Sequence, residues 1–218
     1  MRGKKEDTLV KPYKMTRTVF ALLLAAAAAS AQNPNSLTPA EKSAGWRLLF
    51  NGRDLTGWEA RSTSKPGANG DWKVENGAIS CPGTSPGWLS TNDSFSNFHL
   101  KLQFRGAEKV NSGVFLRSQK EGQPHVTGFE LQIWNYQPAG YNTGSLVGAV
   151  KASPAKILGD QWNDYDITAD GNHYVVLLNG STLLDTRNPT HNSGVIGFQC
   201  QPDNPIEFRD IRIVSLQH

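Results

Sequence analysis

Apolar and polar residues alternate along several short stretches of the chain. In FHLKLQFR, Phe98, Leu100, Leu102 and Phe104 form one row, and His99, Lys101, Gln103 and Arg105 form the other. GFELQIWN repeats the pattern, with Phe129, Leu131 and Ile133 against Glu130, Gln132 and Trp134. A period of two marks a strand with one face in a core. DWKVENGAISC reads as a hairpin about Asn76-Gly77, and residues 162–187 read as three strands joined at Asp170-Gly171 and Asn179-Gly180. Such dipeptides are the usual two-residue hairpin turns. WRLLFNG, GVFLRSQ, SGVIGFQ and IEFRDIRIVSL add further strands. In the last, Ile206 and Phe208 are out of step with Ile211 and Ile213, which predicts a β-bulge near Arg209-Asp210. Only LTPAEKSAG predicts a helix: Thr38 is the N-cap, Pro39 fits the first turn, Glu41 completes a capping box and Gly45 ends it. Many short strands with Gly, Asn and Pro turns predict an all-β sandwich or barrel. Residues 136–156 (YQPAGYNTGSLVGAVKASPAK) resist this reading, and a long loop of that kind is expected to wall a site.

The N-terminus changes how the charge is read. Lys11, Lys14 and Arg17 precede the apolar run VFALLLAAAAA, which ends in Ala29-Ser30-Ala31. This is the pattern of a cleaved signal peptide over residues 1–31, with Met15 an alternative start. The run is too short to cross a membrane. Residues 32–37 then read as a linker and 38–218 as one sandwich domain, exported to the periplasm or secreted, with no membrane attachment after cleavage. The full chain has 22 basic and 19 acidic residues, but 1–31 holds six of the first and two of the second, so the mature net charge is about −1. A nucleic-acid partner loses its support. Cys81 and Cys200 either pair in the exported chain or are two small buried hydrophobes, since sequence cannot test their separation.

Several catalytic motifs are missing from the sequence. It has no H-E-x-x-H, no CxxC, no G-x-S-x-G and no phosphate-binding glycine loop. The motifs therefore point to no cofactor, although they leave a divalent cation open. Asp160, Asp164, Asp166 and Asp170 lack EF-hand spacing and read as a solvated strand face. Trp46, Trp58, Trp72 and Trp162 read as core or edge packing. Attention falls on the outward row Glu130, Gln132, Trp134. Ordinary glycosidases need two carboxylates flanking the scissile bond, and this row has one. If the preceding strand is a neighbour, Arg117 lies beside Glu130, either as a catalytic partner or as a self-satisfying ion pair. Asn111 and His125 flank that strand, while Trp134 and Tyr141 are candidate sugar platforms.

LLFNGRDLTGW, GDWKVENGAIS, NSGVFLR, GFELQIWN, WNDYDI, LLNG and IEFRDIRI, in that order, resemble the 3-keto-disaccharide hydrolase family over residues 37–216. The resemblance implies a concanavalin A-like jelly-roll sandwich acting on a carbohydrate already oxidised at C3, a 3-keto-glycoside. A ketone at C3 acidifies the hydrogen at C2, so one base can start a β-elimination that expels the aglycone from C1, and hydration then completes the cleavage. The resemblance supports Asn111, Arg117, Glu130 and Gln132 as site positions. Our assignment of roles makes Glu130 the base, Arg117 the enolate stabiliser and His125 the acid, with Asn111, Gln132, Trp134 and Tyr141 binding substrate. The chain departs from the family at Leu146-Val147-Gly148 and at Gln201-Pro202-Asp203, which puts substrate or metal binding there in question. The alternative function is a non-catalytic, lectin-like sugar-binding module, and a weaker one is a protein-interaction sandwich. Oligomeric state is not legible.

Overall fold

The computed structural model describes residues 33–62, 67–188 and 191–217. The expected signal peptide lies outside the described residues. Thirteen strands follow the capped helix α1 (Pro39–Ser43): β1 (Arg47–Leu48), β2 (Trp58–Arg61), β3 (Lys73–Glu75), β4 (Ala78–Cys81), β5 (Gly87–Phe95), β6 (Phe98–Gly106) and β7 (Ser112–Ser118), then β8 (Phe129–Ile133), β9 (Asn163–Asp170), β10 (His173–Leu178), β11 (Ser181–Arg187), β12 (Gly194–Cys200) and β13 (Ile206–Ser215). A second short helix, α2 (Pro124–Thr127), was not predicted; it begins on a proline and spans only four residues. The capping box of Thr38 and Glu41 forms as expected. Asn76 and Gly77 both take positive φ in the β3–β4 hairpin, as do Asn179 and Gly180 between β10 and β11. That is the backbone the Asn-Gly pairs predict.

The strands make two antiparallel sheets. One has eight strands in the order β11-β10-β9-β6-β13-β4-β3, with β1 also on β13; the other has five, β2-β5-β12-β7-β8. The predicted bulge in β13 is present: its register against β6 shifts between Arg209 and Arg212, and Asp210 has φ 52°. The bulge lets one edge of β13 pair with β4 before it and β1 after it. The stretch read as a linker is tied to this bulge. Asn35 accepts from the Asp210 N–H at 2.8 Å and donates its amide to Gly77 O at 2.8 Å.

The inward rows meet as one core. Phe98, Leu100, Leu102 and Phe104 of β6 are 0–2% exposed, and Phe198 of the five-stranded sheet stacks on Phe208 of the other at 4.0 Å. Burying each such side chain contributes about 2–3 kcal/mol. Of the tryptophans read as packing, Trp58 is in this core and stacks on Phe198, while Trp162 lies under the guanidinium groups of Arg105 and Arg209.

Two links pin the sheets together. Cys81 of β4 and Cys200 of β12 form a disulfide with Cα atoms 5.9 Å apart, which resolves the alternative the sequence left open. The second link is Arg117, and here the sequence reading needs correction. Arg117 is 1% exposed and does not lie beside Glu130. It sits at a bulge opposite β12, where the register shifts between Val195 and Gly197, with φ 56°. The left-handed backbone takes its side chain out of the outward row. Its guanidinium donates to Ser96 O, Gly171 O, Tyr174 Oη, His191 O, Asn97 Oδ1 and Ala169 O at 2.7–3.3 Å. All six acceptors are neutral, so the residue is a structural cross-tie to β9, β10 and the turn after β5.

Two outcomes follow for stability. Cys81→Ser should lower the unfolding free energy by about 3–5 kcal/mol, because the bond closes a long loop; urea curves that coincide with wild type would contradict this. Arg117→Met should cost more than about 3 kcal/mol by stranding buried carbonyls, and thermal unfolding near the wild-type temperature would show the cross-tie to be dispensable.

Candidate functional site

β8 sets the position of Glu130. Phe129, Leu131 and Ile133 are 4%, 0% and 0% exposed in the core. Strand pleat then forces Glu130 and Gln132 onto the outer face of the five-stranded sheet. Register puts Phe115 opposite Glu130 and Gly113 opposite Gln132. Across β12, Gly197 lies opposite Phe115, and Gln199 pairs with Trp88 of β5.

Two glycines in this outer row are required by close approach. A Cβ on Gly113 would lie 2.8 Å from Glu130 Oε1, so the carboxyl lies across the gap that this glycine leaves. A Cβ on Gly197 would meet the Trp88 ring at 2.7 Å, so Trp88 lies flat on β12. Trp88 packs edge-on to Phe115 with centroids 5.6 Å apart. With Val195 they form an apolar cluster separate from the main core.

Glu130 is therefore 6% exposed in apolar surroundings. Its hydrogen-bond partner is Gln199, whose Nε2 donates to Oε1 at 2.9 Å. No cation pairs with it among the described residues. Burial pushes its pKa up to about 7, against the pull of the Gln199 hydrogen bond. Among the described residues its Oε2 takes no hydrogen bond and is not one of the sealed, unpartnered polar atoms, which are Trp72 Nε1, Gln199 Oε1 and Arg212 Nε. Oε2 is thus not fully sealed, although Glu130 lines none of the larger surface hollows. Gln132 turns its Oε1 back to the N–H of Ile133 at 3.1 Å, which leaves its amide NH2 as the end able to donate outward.

The long segment expected to wall the site lines the free edge of β8. Gly144 N donates to Gln132 O, Gln132 N to Ser145 O, and Val147 N to Glu130 O, all at 2.9–3.0 Å. The other expected residues are more scattered. Trp134 is half-buried, about 13 Å along the strand from Glu130. Tyr141 is half-buried beneath the Lys151 ammonium, 5.3 Å from its ring. Asn111, also half-buried, enters β7 with its N–H on Asn204 Oδ1 at 2.7 Å. His125 is exposed on α2, and no contact joins it to Glu130. Gln199 and Trp88 were not foreseen. Alternation in SGVIGFQC could have turned Gln199 outward, but not told which strand it would face.

The larger hollows of the surface lie elsewhere and are not lined by Glu130. One of about 500 Å³ on the eight-stranded sheet is lined by Lys73, Glu75, Arg105 and Glu207, among others. Four of its charges pair as Lys73–Glu75 and Arg105–Glu207, and Asp160 adds a further carboxylate to the lining. The perturbed, uncompensated carboxyl at Glu130 is the better indicator of chemistry. Among the described residues no three His, Cys, Asp or Glu side chains are grouped to hold a metal.

Comparisons with known proteins agree with this architecture. Two crystal structures of proteins provisionally described as glycosyl hydrolases, both from Parabacteroides distasonis, superpose with TM-scores of 0.72 and 0.64 at 23% and 22% identity. They cover 85% and 78% of this chain and 100% and 99% of their own. A carbohydrate-binding module from Bacillus subtilis superposes with a TM-score of 0.54 at 14% identity, over 72% of this chain and 94% of its own. These likenesses establish the lectin-like jelly-roll fold. No curated protein sequence matches the chain. The model of the 3-keto-α-glucoside 1,2-lyase-like domain matches residues 45–214, and the chain belongs to that family.

Proposed function

We propose that this protein is an exported enzyme that cleaves 3-keto-glycosides by elimination and hydration, with Glu130 as the base. The observation that carries the reading is a carboxyl buried on the outer face with no countercharge, bonded through one oxygen to Gln199, which burial pushes up to a pKa of about 7. A base works best when its pKa lies near the working pH. Glu130 Oε2 would take the proton from C2 of the sugar, and the electron pair would form the enolate of the C3 ketone. Collapse of the enolate would make the C1–C2 double bond and break the bond from C1 to the aglycone oxygen. Water adding across that bond would deliver hydroxyl to C1 and hydrogen to C2.

With Arg117 withdrawn into the core, the enolate falls to a neutral donor. Gln132 presents its amide NH2 on the same face and fits that role. The departing oxygen would take its proton from water or from His125, which is exposed to solvent. Trp134, about 13 Å along the strand from Glu130, would reach only a more distant unit of a longer glycoside, and Asn111 enters β7 at that end of the strand pair. The Cys81–Cys200 disulfide suits an oxidising compartment and supports export.

Glu130→Gln should lower the rate of aglycone release from a 3-keto-glucoside by at least about 100-fold while still binding the sugar. Wild-type kcat/KM should rise with pH through about 7, as the carboxylate forms. Undiminished turnover in Glu130→Gln would exclude Glu130 as base, and binding of unoxidised glycans without turnover of either would favour a lectin-like module.

The same carboxyl affects stability. Its folded pKa, about 7, lies above the ordinary 4.5, so between those values the folded state holds the extra proton. Stability from this group is greatest below pH 4.5 and is lost as pH rises through about 7. Glu130→Gln removes the loss, by up to about 3 kcal/mol. Its melting temperature should exceed wild type at pH 8 and converge with it at pH 4; a constant difference across that range would contradict the raised pKa.

A further inference from the structure

Gln199 is more buried than a surface amide needs to be. It is 8% exposed, it lies on the outer row of β12, and its Oε1 is sealed without a partner. A sealed, unpartnered amide oxygen costs stability. Were Gln199 only filling space beside Trp88, a methionine of the same length would pack without that cost. Its orientation is instead set by the one bond it makes, from Nε2 to Glu130 Oε1 at 2.9 Å. The next residue, Cys200, is fixed by the disulfide to β4, and the Gln199 carbonyl is held by Ser112 Oγ at 2.7 Å. The donor therefore stands on a stretch of backbone with little freedom to move.

We propose that Gln199 is the positioning residue of the site: it clamps Glu130 Oε1 across Gly113 and leaves Oε2 as the one oxygen presented to substrate. The inference rests on the reading of Glu130 as base. In that arrangement the clamp favours the carboxylate over the acid, because an amide N–H bonds the charged form more strongly. It also holds the carboxyl in one rotamer, so that Oε2 meets the C2–H at a fixed angle. Among the described residues no charged group acts on Glu130, and the neutral Gln199 amide is its hydrogen-bond partner. Among the side chains that share its face, Phe115 carries no charge, and Gln132 and Gln199 are neutral.

The test uses the full-length mature protein with Gln199→Met and Gln199→Glu. Titration of the Glu130 carboxyl, followed by carbon-13 NMR, needs no substrate. In Gln199→Met its midpoint should move up by about half to one pH unit, and in Gln199→Glu further, because a second carboxyl then faces the first. The acid limb of kcat/KM on a 3-keto-glucoside with a chromogenic aglycone should move by the same amount, with KM little changed. Circular dichroism confirms that each variant is folded, and Gln199→Glu keeps the size of the native side chain should Gln199→Met fail to fold. An unmoved Glu130 midpoint in a folded variant would overturn the clamp while leaving Glu130 as base. Full turnover by Glu130→Gln would instead overturn both, so the two failures are distinguishable.

Discussion

The site depends on keeping one carboxyl dry without giving it a positive partner. Glu130 is fixed by the core row of β8 and laid across Gly113 beside the cluster of Trp88, Phe115 and Val195. An arginine at that place would hold the carboxyl ionised and make it a poor base. The structure does the opposite. It sends Arg117 into the core, where six neutral acceptors receive it, and leaves Glu130 with a single amide donor. Burial then dominates, and the proton affinity rises into the neutral range. The bulge withdraws Arg117, and burial beside Trp88 and Phe115 raises the proton affinity of Glu130.

That arrangement needs a scaffold that does not relax. A carboxyl that prefers water pulls toward solvent, and the sheet must resist. β12 sits at the centre of the five-stranded sheet and carries both ends of the restraint. Its Cys200 is bonded to β4 of the other sheet, and its Gln199 holds the carboxyl. Gly113 and Gly197 supply what a larger residue would deny, the room for Glu130 and Trp88 to lie flat. On the proposed function, activity and stability oppose each other at this point, since the carboxylate that would act as base is the form whose presence weakens the fold.

What the sequence revealed follows from which rules are local. Alternation in FHLKLQFR and GFELQIWN identified the core rows, because strand pleat admits one assignment of faces. Asn76-Gly77 and Asn179-Gly180 specified their turns through positive φ, and the phase slip between Phe208 and Ile211 specified the bulge at Asp210. Arg117 escaped the same logic. Leu-Arg-Ser gives no sign of a left-handed backbone, and extending the alternation one residue too far put its side chain on the wrong face. Gln199 was out of reach for another reason: strand order joins residues 69 positions apart, and nothing in either local pattern records that neighbourhood. Asn35, in the stretch read as a linker, likewise bonds Asp210 at the far end of the chain.

The most direct test of the account is aglycone release, under single-turnover conditions, from a 3-keto-glucoside carrying deuterium at C2. If Glu130 removes that atom to start the reaction, release from the labelled sugar is slower than from the unlabelled one, and the ultraviolet absorbance of the enone rises before the free 3-keto sugar appears. Equal rates for the two sugars, with no enone at any time, would mean that the bond at C1 breaks without proton removal at C2 and would contradict the account.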